Sequence, residues 1–156
     1  RQLLDWGVLP IVNENDSIST EEINLGDNDI LSSIVASIVG ADLLLILTGV
    51  DGFLIKDKKV DLLESIGEKE ESYATGPSGP GTGGMATKLK AAKLLLPNGI
   101  NTGIINGEEK NAISRFFKEP NFGTLIANQN IPHSVPNERE IQNRFFAISK
   151  EEGNSL

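Results

Sequence analysis

Apolar and polar residues follow one another along this chain in blocks whose spacing predicts strands and helices in alternation. Short uninterrupted apolar runs at Val8–Val12 and Leu43–Leu47 predict strands that are buried in a sheet. Between these runs, apolar residues recur at helical spacing, which predicts a helix over Asp27–Val39 that Gly40 ends. The second half of the chain repeats the alternation, with helices predicted over Met85–Leu96 and Asn111–Phe117 and strands over Asn101–Asn106 and Gly123–Ala127.

This alternation predicts an α/β fold, a mostly parallel sheet sandwiched between helices, over residues 1–127. The chain opens at Arg1 in a segment patterned like the end of a helix, so we expect an N-terminal part of the domain to precede it. Residues 56–75 are strongly charged and predict one short helix. From residue 128 onwards the composition turns polar, and Pro132 and Pro136 interrupt regular structure, which predicts a tail or linker over residues 128–156.

Composition and charge narrow the classes of function. The 156 residues carry a formal net charge of −8 without a run of Lys or Arg, so we expect no nucleic-acid partner. The longest apolar run is too short to cross a bilayer and no cleavable signal is visible, so we expect a cytoplasmic protein without a membrane partner. Cys is absent and His133 is the only His, so we expect no metal cluster and no thiolate or His-assisted nucleophile.

Two blocks of amide and carboxylate side chains stand at the predicted strand and helix ends. Asn13 to Asp16 follows the first apolar run, and Gly26 to Asp29 opens the first long helix. In open α/β sheets, small ligands bind at the rim formed by the strand ends. Carboxylates with carboxamides suit a ligand such as an amino acid, although a turn and a helix cap would use the same residue types.

A loop rich in glycine, Gly76–Gly84, precedes the predicted helix in which Lys88 occupies the first turn. Glycines let backbone N–H groups approach phosphate oxygens, and a helix N-terminus adds partial positive charge. This pattern favours phosphate binding, with a flexible linker as the alternative. Thr48 and Gly49 lie at the end of the most apolar strand. They could form the surface over which a nucleotide lies, called the nucleotide floor below, or they could simply begin a loop.

Several motifs together carry a resemblance to a known family. They are NENDSISTEEINLGDND, DLLLILTGVDGF, GTGGMATKLKAA, GINTGIING and FGTLI, in this order from about Gly7 to Ala127. With them the chain resembles the C-terminal portion of the kinase domain in the glutamate 5-kinases of the amino acid kinase family. The resemblance implies a three-layer α/β/α fold, ATP as phosphoryl donor, Mg²⁺, and L-glutamate as acceptor. The product would be L-glutamyl 5-phosphate, on the first step towards proline.

The resemblance also implies roles for individual residues. Asp16 and Asn28 match glutamate-binding positions, with Asn13 and Asp29 beside them. Thr48 and Gly49 match a pair that contacts the nucleotide. The ATP loop would consist of Thr82, Gly83, Gly84, Met85, Ala86, Thr87 and Lys88.

The expected chemistry needs no general base, because a glutamate side-chain carboxyl has a reference pKa of about 4.3 and is already ionised at neutral pH. Catalysis then reduces to alignment and to stabilisation of charge on the transferring group. Asp16 would pair with the substrate ammonium group and Asn28 would fix its backbone carboxylate. Lys88 and the amides of the glycine-rich loop would offset the developing negative charge.

The chain departs from the family pattern at Gly49, where Asp is usual. The N-terminal strand, Gly-Ser turn and Lys of the family, and the C-terminal RNA-binding-like (PUA) domain of some members, are not part of the resemblance. Two alternatives stay open: a relative that phosphorylates a nucleoside monophosphate or a carbamate, and a non-catalytic amino-acid-binding module or fragment. We also expect a homo-oligomer.

Overall fold

The computed structural model describes residues 2–13, 28–74, 82–128 and 146–150 of the chain. In chain order its elements are α1 (Gln2–Asp5), α2 (Asn28–Val39), β1 (Leu43–Thr48), β2 (Leu54–Ile55), β3 (Lys58–Lys59), β4 (Leu62–Leu63), α3 (Glu68–Ala74), α4 (Thr82–Leu95), a 3₁₀ turn (Leu96–Asn98), β5 (Asn101–Asn106), α5 (Ala112–Lys118), β6 (Thr124–Ile126) and β7 (Phe146–Lys150). None of the described helices combines the length and the apolar character needed to span a membrane.

The main sheet of the described residues has five strands in the order β4-β6-β5-β1-β7. β1 pairs in parallel with both β5 and β7, and β4 pairs in parallel with β6. Within this sheet only the β5–β6 pair is antiparallel. The predicted α/β fold with a mostly parallel sheet is therefore confirmed. Strand β7 lies within the segment for which the sequence predicts a polar tail or linker.

Helices cover both faces of β1, which explains its continuous apolar sequence. Leu44 and Ile46 belong to one apolar cluster with residues of α2 and α4. Leu43 and Leu45, which alternate with them along the strand, belong to another cluster with Phe116 of α5. All four side chains are at most 3% exposed. The helix–sheet–helix layering expected from the alternation is thus present.

Helix α2 runs antiparallel to β1 because the chain reverses tightly between them. Gly40 has a φ of 67°, a left-handed conformation that favours glycine. Its N–H donates to the Ser37 carbonyl at 3.3 Å, and the Ala41 N–H donates to the Ala36 carbonyl at 2.9 Å. This is the Schellman pattern of helix ends. The N-terminus of α2 therefore lies at the carboxyl end of β1.

Helix α4 has the same orientation relative to the next parallel strand. The 3₁₀ turn and Gly99 end it, and the chain then enters β5 beside β1. The Asn101 N–H donates to the Asp42 carbonyl at 3.2 Å, which aligns the starts of the two strands. Consequently α2 and α4 both begin at the carboxyl end of the sheet, where their partial positive charges face the same region.

The predicted strand over Val8–Val12 is wrong. These residues follow α1 without regular structure, and the side chains of Leu9 and Ile11 are 83% and 92% exposed. A strand needs a neighbour for its backbone hydrogen bonds, and no described strand pairs with this segment. An apolar run predicts burial but does not indicate which partner covers it.

The predicted start of α4 at Met85 is also wrong, because the helix already begins at Thr82. The glycines at positions 83 and 84 adopt helical backbone, although glycine disfavours helix interiors. Residues 75–81, which hold most of the predicted glycine-rich loop, lie outside the described residues. The helix α2, the strands β1 and β5, and the short helix α5 are confirmed to within a residue or two, and the one short helix predicted within residues 56–75 is present as α3.

Candidate functional site

The most distinctive polar contact in the described structure joins the first turn of α2 to α4. The Lys88 ammonium nitrogen lies 3.1 Å from Asp29 Oδ2, and the two residues are only 1% and 4% exposed. Lys88 Nζ also donates to the Gly84 carbonyl at 3.3 Å, and Thr87 Oγ1 donates to Asp29 Oδ2 at 3.2 Å. Charged side chains are rarely this buried unless they are paired, so the contact fixes both groups.

Lys88 occupies the second turn of α4, because the helix begins at Thr82 rather than at Met85. The prediction that it lies in the first turn is therefore wrong. From the second turn, its side chain reaches back along the helix axis towards the N-terminus, the direction that helical side chains take. Its ammonium group thus lies close to the N-terminal end of both helices.

The electrostatics of this region have a simple origin. Asp29 is the second residue of α2, where a negative charge is favoured by the helix macrodipole. Lys88 sits near a positive helix end, which alone would disfavour an ammonium group, and the Asp29 carboxylate compensates. Two helix N-termini leave this end of the sheet suited to anionic groups such as phosphate oxygens, whereas the ammonium group of Lys88 is balanced by the Asp29 carboxylate.

The turns after β1 and β5 form the adjoining rim. Thr48 is 6% exposed at the end of β1, and its carbonyl accepts the Gly107 N–H at 2.8 Å. Asn106, at the end of β5, donates from Nδ2 to Asp51 Oδ1 at 2.9 Å. Its Oδ1 accepts the Glu108 N–H at 3.0 Å. A polar network therefore ties the carboxyl ends of the two central strands together.

Thr48 and Gly49 were assigned to this rim from the sequence, whereas Asn106, Asp51 and Glu108 were not. The signal was available, because Asn106 ends a predicted parallel strand in the same way as Thr48 does. Carboxyl ends of neighbouring parallel strands meet at one edge, so the two turns were bound to lie together. The pairing of Asp29 with Lys88, by contrast, has no local signal in the sequence.

The remaining predicted site residues differ in how far the structure describes them. Asn13 is exposed at the end of the first described segment, and Asn28 is half-buried as the first residue of α2. Asp16 lies outside the described residues. Met85 and Ala86 pack against the apolar cluster beneath α4. The backbone of residues 82 and 83 forms the first turn of α4.

The arrangement brings together Asp29, Thr87 and Lys88 directly, with Thr48 and Gly49 at the same end of the sheet. The backbone N–H groups of the α4 first turn suit the oxygens of a phosphate chain, while the Lys88 ammonium group is buried in its contact with Asp29. Within residues 2–13, 28–74, 82–128 and 146–150, no group of three or more His, Cys, Asp or Glu side chains converges on a possible metal position.

Comparison with known proteins identifies the family. Residues 1–106 match the model of the Amino acid kinase family. The chain is 43% identical over 136 residues to a glutamate 5-kinase of Clostridium acetobutylicum, an alignment that covers 82% of this chain and 51% of that protein. It is 42% identical over 132 residues to a glutamate 5-kinase of Caldanaerobacter subterraneus, with 80% of this chain and 36% of that protein covered.

A glutamate 5-kinase of Clostridium perfringens is 42% identical over 136 residues, with 80% of this chain and 51% of that protein covered. The chain thus spans about half the length, or less, of these curated relatives.

Proposed function

Because the chain belongs to the amino acid kinase family, we propose that it works in a glutamate 5-kinase, transferring a phosphoryl group from ATP to the side-chain carboxylate of L-glutamate. The observation that carries this proposal is the buried contact of Lys88 with Asp29 at the N-terminal ends of two helices. The glutamate 5-kinase relatives support the choice of acceptor. The reaction would be the first step towards proline, in the cytoplasm.

Phosphate binding is assigned to α4 and to the strand ends. The N–H groups of the first turn, from Thr82 to Gly84, would cradle the phosphates of ATP, and Lys88 would face the transferring group. Thr48 and Gly49 would form the floor under the nucleotide. Asp29 holds the ammonium group of Lys88 in place, so we assign it to positioning Lys88 as well as to the edge of the glutamate site.

The acceptor would bind beside this site through the Asn/Asp blocks. Asp16 would pair with the ammonium group of L-glutamate, and Asn28 would bind its backbone carboxylate, with Asn13 near them. The side-chain carboxylate oxygen attacks the γ-phosphorus of ATP. The bond from that phosphorus to the bridging oxygen breaks, and ADP leaves with the electron pair. No proton needs to be removed, since the attacking carboxylate is already ionised.

Mg²⁺ is proposed to enter together with ATP. This ion keeps several waters and is commonly held by substrate phosphates with one or two carboxylates, so it needs few protein ligands. It would neutralise phosphate charge during transfer. The residues of this chain would hold the phosphates from the other side, through Lys88 and the α4 N-terminus.

The proposal is tested by replacing Lys88 with Ala and measuring phosphoryl transfer, with the acyl phosphate trapped by hydroxylamine. We expect kcat to fall by about 10²–10³, the usual effect of removing one charge-stabilising donor, while KM for L-glutamate changes little. Lys90→Ala is the matched control, because Lys90 is exposed on the same helix. It should leave kcat within about twofold of the unaltered chain.

Lys88→Ala also leaves Asp29 buried without its ammonium partner. In comparable sites this loss lowers the free energy of unfolding by roughly 3–5 kcal/mol. The double variant Asp29→Asn with Lys88→Met buries no unpaired charge and should fold better while remaining inactive. Turnover at the unaltered rate in a folded Lys88 variant contradicts the proposal. An unaltered chain that binds ATP and L-glutamate without transfer is a binding module instead.

A further inference from the structure

Glu108 lies in the turn after β5 and leans over the end of β1. Its Oε1 is 3.8 Å from the point where a Cβ attached to Gly49 would lie. Among the described residues other than the two chain neighbours of Gly49, only this carboxylate oxygen comes within 4 Å of that point. The proposed nucleotide floor therefore carries a carboxylate that comes from the neighbouring strand.

The backbone of this turn is held in place by hydrogen bonds. The Gly107 N–H donates to the Thr48 carbonyl at 2.8 Å, which ties the turn to the end of β1. The Glu108 N–H donates to Asn106 Oδ1 at 3.0 Å, and Asn106 in turn donates to Asp51 Oδ1 at 2.9 Å. Both ends of the turn are thus anchored, and the backbone of Glu108 is held next to the end of β1.

Charge decides which part of a nucleotide this carboxylate can face. A carboxylate repels phosphate groups, whose place is at the α4 N-terminus beside Lys88. Glu108 instead needs hydrogen-bond donors, and the sugar of a nucleotide offers hydroxyl groups. In α/β folds that bind dinucleotides, an acidic side chain accepts hydrogen bonds from the ribose in this way.

We propose that Glu108 accepts hydrogen bonds from the sugar hydroxyls of the nucleotide held over Thr48 and Gly49. This role rests on the proposed function, since it needs ATP to bind at this end of the sheet. It assigns to Glu108 a preference for ribonucleotides rather than a step in phosphoryl transfer.

The test is calorimetric binding of ATP and of 2′,3′-dideoxy-ATP, which lacks both sugar hydroxyls, to the 156-residue chain. The unaltered chain should bind ATP about 10-fold to 100-fold more tightly than the dideoxy compound, as expected for hydrogen bonds to a charged acceptor. Glu108→Gln should bind the two compounds with nearly equal affinity. Affinity for the dideoxy compound itself should change little.

Glu109→Gln is the matched control, because it removes the same charge from the adjacent residue. The Glu109 carboxylate lies 3.1 Å from the Arg115 guanidinium rather than beside Gly49. This variant should keep the full preference for ATP. A further variant, Gly49→Asp combined with Glu108→Gln, returns a carboxylate to the same space and should restore much of the preference.

The possible outcomes separate the two hypotheses. If Glu108→Gln keeps the preference for ATP, or loses affinity equally for both compounds, the role of Glu108 is wrong and the nucleotide site stands. If the unaltered chain binds neither compound, the proposed nucleotide site is overturned and the role of Glu108 falls with it. Restored preference in the Gly49→Asp double variant supports the role directly.

Discussion

At residue 103 the packing leaves no room for even one methyl group. A Cβ on Gly103 would lie 2.6 Å from an atom of the Phe116 ring and 2.7 Å from Leu45 Cδ1. Both neighbours are buried at the interface between β1 and α5. We therefore expect Gly103→Ala to lower the free energy of unfolding by about 1–3 kcal/mol through overpacking.

Chemical denaturation monitored by circular dichroism measures this loss. Gly49→Ala is the matched control, because among the described residues its added Cβ would meet only the flexible end of Glu108, at 3.8 Å. It should change the unfolding free energy by less than about 0.5 kcal/mol. Equal stability of the two variants would show that α5 adjusts to the methyl group.

The residues of the candidate site differ in how well their positions could be predicted. Thr48 and Asn28 lie where the sequence pattern places them, at a strand end and a helix start. The contact between Asp29 and Lys88 joins residues 59 positions apart, and nothing local in the sequence indicates it. It depends on α2 and α4 lying side by side, which only the three-dimensional packing decides.

At the scale of elements, α3 is stabilised at its start by one of its own side chains. Glu70 Oε2 accepts the Gly67 N–H at 3.0 Å, the reciprocal half of a capping box. The hydrogen bond from Gly67, together with that from its own backbone N–H, lowers the pKa of Glu70. Because the pKa of Glu70 is lower in the folded state than in the unfolded state, the ionised carboxylate stabilises the fold. This stabilisation is complete above the unfolded pKa and is lost as pH falls through the folded pKa.

We expect NMR titration to give the Glu70 carboxyl a pKa below the reference value of about 4.3 for Glu. In the acid range below the reference value, protonation of Glu70 should contribute to the fall in stability of the unaltered chain. Glu70→Gln should lack this contribution to the pH dependence of stability. A carboxyl pKa at or above the reference value would contradict the cap.

Secondary structure was predictable for strands that are buried on both faces of the sheet. β1 and β5 are central strands, and their predicted bounds agree with the observed ones to within one residue. The prediction failed at Val8–Val12, where a strand depends on a partner that the pattern does not specify. It failed also at the start of α4, where Gly83 and Gly84 predict a loop but continue a helix that its packing stabilises.

At the scale of the whole molecule, the direction of the helices determines at which end of the sheet the candidate site lies. α2 and α4 each lead directly into a parallel strand, so both begin at the carboxyl end of the sheet. The buried contact between them and the network linking the two strand ends occupy this same end. The way in which each helix connects to the following parallel strand, rather than any single motif, therefore brings the proposed phosphate-binding residues and the rim residues to one end of the sheet.

The exposed apolar segment at residues 8–12 leads to a prediction about association. Leu9 and Ile11 are 83% and 92% exposed on neighbouring positions of one stretch of chain. Covering each such side chain is worth about 1.5–3 kcal/mol, so contact between two copies of this segment is favourable. We expect the chain to associate as its concentration rises, and Leu9→Ser with Ile11→Ser to weaken this association by about tenfold or more.

Sedimentation velocity over a range of concentrations measures the association. Ile38→Ser is the control, because Ile38 is 73% exposed on the surface of α2, where Ile34, at 40%, is the other large apolar side chain that is exposed. Scattered exposed apolar side chains are normal for a protein surface, so this change should have little effect. If the unaltered chain stays monomeric at every concentration, these side chains do not drive association between copies. If the control weakens association as much as the double variant, the contact involves α2 rather than residues 8–12.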